Sequence, residues 1–145
     1  MDSVSLPEGI APISADRNAF GGEAVDPKYY RKRVKSSRSN TIYLILNGIP
    51  RPFPDSQTYY NLFSSMNDVI VNDVLVGSFI PGNPITPGAI FVNANEDDIF
   101  YLLVDNLLCS IAVYPVGGEY SFDLNKTVFV PRAVLDAISL GPAIT

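Results

Sequence analysis

Apolar residues run without a break over residues 42–46, Ile-Tyr-Leu-Ile-Leu, a β-branched and aromatic run that predicts a buried strand. Asn47 and Gly48 tolerate the positive φ that a two-residue hairpin turn demands, so residues 49–53 form the return strand. Pro50 and Pro52 withhold ladder donors, which places that strand at an edge. Asp55 has the chemistry of a helix N-cap, and Tyr59, Leu62, Phe63 and Met66 follow at helical spacing. Residues 69–71 predict another strand, Asn72 caps a turn carrying Val74 and Leu75, and residues 80–86 close the unit in extended form. Residues 88–92 lead out, and residues 93–98 are read as a polar turn.

The same order returns from Ile99. Residues 99–104 match the first strand, Asp105 and Asn106 replace Asn47 and Gly48, and residues 107–113 return without prolines. Tyr120 and Phe122 are expected core anchors, residues 128–130 match residues 69–71, and Pro131 opens a helix with Val134, Leu135 and Ile138 on one side. The chain ends Gly141-Pro-Ala-Ile-Thr, close to the Gly-Asn-Pro-Ile-Thr that closes the first copy. Matched positions lie 57 residues apart at Ile42 and Ile99, and 60 apart at Val74 and Val134. Neither copy carries enough apolar surface for a core of its own, so the two bury their faces against each other. The expected fold is mainly β (α+β): two tandem β-rich repeats with short helices, residues 41–92 and 99–145, packed into one domain. An extended N-terminal arm over residues 1–40 precedes it.

Charge divides the chain differently. Residues 1–27 carry a net charge of −4, residues 28–38 hold six basic residues and no acid, and the remainder carries −7. The arm is aperiodic, with Leu6, Ile10, Ile13 and Phe20 scattered among polar residues. Forty residues is long for a tail that docks on its own chain, so the arm is expected to lie across a neighbouring subunit and bury those four groups. The basic strap, with Tyr29, Tyr30, Arg31, Lys32, Arg33, Lys35 and Arg38, completes the expected partner surface by facing acidic protein. Basic groups beside aromatics also suit nucleic acid, a reading ranked below protein contact.

The run from Tyr43 to Gly48, then Pro54, Asp55, Thr58, Leu62, Phe63 and residues 80–82, resembles a short β-rich repeat of bacterial surface and bacteriophage structural proteins. Residues 130–138 and the closing Gly-Pro-Ala-Ile-Thr resemble its second half. The resemblance covers residues 41–145 and brings no catalytic set. It implies a virion or cell-surface setting, with other structural subunits as partners.

The chemistry that is missing narrows the function. The chain has no histidine, which removes His-based acid–base and nucleophile systems and most zinc sites. No phosphate-binding glycine loop or nucleophile elbow occurs. Cys109 is the lone cysteine, lies in an apolar run and is read as a small core residue. Glu96, Asp97 and Asp98 with Asn93 and Asn95 offer hard oxygen ligands but lack EF-hand spacing, and are read as a solvated turn. No cofactor and no metal is expected. No apolar run approaches the roughly 18 residues of a membrane helix, and residues 1–10 lack a secretory pattern, so a chain that is soluble and cytoplasmic at synthesis, with no membrane partner, is expected. The leading expectation is a non-enzymatic structural protein of a bacteriophage particle, as head decoration or as a neck or tail accessory. A carbohydrate-binding module of a tail or cell surface is the alternative.

Overall fold

The computed structural model describes residues 21–95 and 98–145. It contains two four-stranded sheets built to one plan. In the first sheet, β1 (Arg33–Lys35), β2 (Ile42–Leu46), β3 (Ile49–Pro52) and β4 (Ile70–Val71) lie in the order β3-β2-β1-β4. In the second, β5 (Ile90–Ala94), β6 (Phe100–Val104), β7 (Leu107–Ile111) and β8 (Val128–Val130) lie in the order β7-β6-β5-β8. Each sheet is antiparallel across its first three strands and adds its last strand parallel to its first. The mainly β, two-copy α+β architecture expected from the hydrophobic pattern is what the chain adopts.

The copies begin earlier than the pattern suggests. Val34 pairs with Tyr43 and Ile70, while Val92 pairs with Tyr101 and Val128. The spacing between equivalent strand residues is therefore 58, as from Tyr43 to Tyr101. Residues 33–35, assigned on sequence to the arm, are an inner strand of the first sheet, so the boundary at residue 40 separates β1 from its partner β2. Residues 88–92, read as a lead-out, overlap the equivalent strand β5 of copy two. Asn93, read as part of a turn, lies in that strand, is 2% exposed and donates through Nδ2 to Ile99 O at 2.9 Å. Residues 96 and 97 of the acidic turn lie outside the described residues.

Both hairpin turns place two consecutive residues at positive φ: Asn47 at 50° and Gly48 at 83°, Asp105 at 58° and Asn106 at 63°. Such turns match the right-handed twist of the flanking strands. The return strands β3 and β7 are edges of the ladder, yet the closing segments cover them. Gly82 and Ile85 N–H donate to Pro50 O and Pro52 O, and Gly141 and Ile144 N–H donate to Leu108 O and Ser110 O. The prolines of β3 thus sit where the ladder needs only their carbonyls.

One core lies between the sheets. Ile42, Leu44 and Leu46 of β2 share it with Phe91, Leu102, Val104, Cys109 and Ile111 of the second sheet. Helix α1 (Ser56–Leu62), capped by the Asp55 carboxylate accepting from Thr58 N–H, adds Tyr59 and Leu62. Met66 lies beyond the end of α1 and is exposed, so the expected apolar face is shorter than its spacing suggests. Helix α2 (Asp73–Gly77) is capped by Asn72. A single turn α3 (Gly118–Tyr120) brings Tyr120 into the core, beside Phe122. Helix α4 (Arg132–Asp136) seats Leu135 against Val92, Ala94, Tyr101 and Leu108 on the outer face of the second sheet. Ile138 packs there too, whereas Val134 of the same expected stripe is exposed. No helix among the described residues is long and apolar enough to cross a membrane.

Candidate functional site

Each copy's closing threonine bonds to the other copy's hairpin turn. Thr86 ends copy one, and its Oγ1 accepts from Asp105 N–H at 2.7 Å and donates to Asp105 Oδ1 at 3.2 Å. Thr145 ends copy two, and its N–H donates to Asn47 Oδ1 at 2.8 Å while Asn47 Nδ2 donates to Ala143 O at 3.1 Å. Asn47 and Asp105 are equivalent turn residues, so the exchange is reciprocal. Tyr120 Oη supports it, accepting from Asn47 N–H at 3.0 Å and donating to Thr145 O at 2.8 Å.

Arg51 and Cys109 are also equivalent, opposite Leu44 and Leu102 in their ladders. Arg51 forms a two-pronged pair with Asp105, NH1 to Oδ2 at 2.9 Å and NH2 to Oδ1 at 2.6 Å, and Nε donates to Asn83 O. Such paired geometry and added hydrogen bonds are what a buried guanidinium requires. Among the described residues Cys109 has no such partner at its place in copy two; burial foremost pushes its thiol up to about 11. A thiol so placed is overwhelmingly protonated at neutral pH and reacts slowly. Between these groups lies a cavity of about 310 Å³, lined by Leu46, Ile49, Val104, Cys109 and Ile144 with Asn47 and Asp105 at its polar edge. Among the described residues its polar groups hold one another, Arg51 with Asp105 and Asn47 with Thr145. Among the described residues no cluster of three metal-ligating side chains exists.

The strap residues are largely incorporated in the body. Arg33 is 5% exposed, donates to Tyr59 Oη at 2.6 Å and Ser65 O at 3.1 Å, and stacks over the Phe63 ring at 4.2 Å. It cannot meet a partner, because the fold already satisfies it. It occupies the position Phe91 holds in copy two, where Phe91 packs edge-on against Phe122. Arg31 bonds to Glu119, linking the copies. Tyr30 lies against Gly48, whose Cβ would fall 3.1 Å from the ring. Tyr29 ends a single 3-10 turn, with Lys28 over its ring. Lys35 is half-buried in β1, and Lys32 and Arg38 are exposed, Arg38 3.9 Å from Asp73. Leu6, Ile10, Ile13 and Phe20 lie outside the described residues.

The surface feature that sequence reasoning missed is a pair of open edges. Among the described residues nothing pairs with the outer side of β4 or β8. Val71 is 58% exposed and Phe129 59% exposed, and the two are equivalent. Their read-out in sequence is an apolar strand like any other, since the order of strands is not written in the local pattern. The exposed aromatics Tyr30, Tyr60, Tyr114 and Phe129 come from four separate segments, and no ring pair among the described residues joins two of them. No family model matches the chain, and neither a curated protein nor a solved structure matches it.

Proposed function

We propose that the chain is a non-enzymatic structural subunit of a multi-subunit particle, joined to its neighbours through its strand edges. The bacteriophage virion is the setting that its repeat resembles. The observation that carries this reading is the pair of equivalent open edges, each centred on an exposed apolar side chain. Monomeric proteins blunt such edges with charges, prolines, covering loops or short length; β4 and β8 are short, at two and three residues, but each carries an exposed apolar side chain. Here the closing segments cover β3 and β7, while β4 and β8 stay open.

The charged residues that flank the two edges in sequence differ in sign, although Asp68 and Asp73 also face Arg33 and Arg38 of the body. Val71 lies between Asp68 and Asp73, whereas Phe129 lies between Lys126 and Arg132. Unlike flanks favour β4 of one copy against β8 of the next, a head-to-tail contact that closes into rings or runs on as filaments. Sedimentation velocity of the purified chain tests this. Association is expected to rise with protein concentration and to weaken with added salt, because exposed charges are screened. A monomer at every concentration and ionic strength would contradict the reading.

A further inference from the structure

Gly21 also lines the cavity between the two hairpin turns. The chain is firmly placed at that point. Gly22, at φ 83°, approaches Gly82 so closely that a Cβ would fall 2.5 Å from Gly82 N, leaving no room for a side chain. Glu23 N–H donates to Ile80 O at 2.9 Å, and Val25 N–H donates to Gly48 O at 3.0 Å. Gly21, the first of the described residues, thus lies at this cavity. Phe20 stands one peptide from Gly21, a Cα step of about 3.8 Å.

We propose that this cavity is the seat of the chain's own N-terminal segment, with Phe20 as the main apolar group entering it. The walls are apolar where a ring would rest, on Leu46, Val104 and Ile144. Burying a phenyl side chain removes about 150–250 Å² of surface from water. A segment tethered at the rim also acts at an effective concentration on the order of millimolar, which favours it over a free molecule or a neighbour's arm. This contact lies within one chain and does not rest on the strand-edge reading.

Cys109 reports on the seat directly. It lines the cavity, is 4% exposed and is the chain's one cysteine. The experiment follows its modification by a small neutral aromatic disulfide in the full chain, in a chain beginning at Gly21 and in Phe20→Ala. Thermal unfolding of each is recorded alongside. The truncated chain is expected to react at least about tenfold faster because its thiol has lost its cover, and Phe20→Ala to fall between. Adding a peptide of residues 1–20 should slow the truncated chain again. Equal rates in all three folded proteins would overturn the proposal. Equal binding of an apolar fluorescent dye to the full and truncated chains would also overturn it, by assigning the cavity to small molecules. If truncation prevents folding, the comparison of Phe20→Ala with the full chain decides alone. Sedimentation is expected to be the same for all three, so a failure here is separable from a failure of the edge contacts.

Discussion

Asp105 is the side chain on which one of the two most deeply buried charges among the described residues depends. Arg51 is 5% exposed at its side chain and Asp105 14%, so little water stands ready to replace a lost partner. Removing one member of such a pair costs about 3–5 kcal/mol, because the other charge stays buried. Asp105→Ala should therefore lower the urea midpoint strongly, and adding Arg51→Met should restore part of the loss. Glu119→Ala, which breaks the more exposed bond to Arg31, should cost about 0–1 kcal/mol. The same core sets the alkaline limit. Burial pushes the Tyr120 hydroxyl from 10.0 up to about 12 and the Cys109 thiol from 9.0 up to about 11. Between those values the unfolded chain has released protons that the folded chain still holds, so the contribution of these two groups is full below pH 9 and is lost as pH rises towards 12. Tyr120→Phe should flatten the part of that decline between pH 10 and 12 in alkaline unfolding curves, while costing about 1 kcal/mol at neutral pH for its lost hydrogen bonds.

At the level of elements, β1 decides where the chain can be cut. Truncation to residue 39 removes the strand that joins β2 to β4, and with it Arg33 from the aromatic cluster of Tyr59 and Phe63. Circular dichroism should show that protein unfolded, whereas a chain beginning at Gly21 should retain a cooperative transition. The hairpins were legible in the sequence because positive φ leaves a chemical mark, Asn-Gly in one turn and Asp-Asn in the other. Strand β1 was not, because its Arg-Val-Lys has a single apolar residue and its buried cation is accommodated only by residues from later elements. Strand β5 was obscured in the same way, since Asn93 looks like a turn residue until its bond to Ile99 is seen. Of the candidate site, the closing Thr of each copy was visible as a repeated ending. Its bond to the opposite turn was not, because it joins residues 98 positions apart at Thr145 and Asn47 and 19 apart at Thr86 and Asp105.

For the whole molecule, the reciprocal bonds make two incomplete sheets into one body, and the same duplication supplies two equivalent edges. A single open edge would stop at a pair, whereas two on one chain allow propagation. Lysine at either edge should block that side alone, since charged edge residues oppose further pairing. The decisive measurement is sedimentation velocity of Val71→Lys and Phe129→Lys, each alone and then mixed. Head-to-tail pairing of β4 with β8 predicts that each variant alone is monomeric and that the mixture forms a dimer and nothing larger. Monomers in the mixture under conditions where the unaltered chain associates, or self-association of either variant alone, would contradict it.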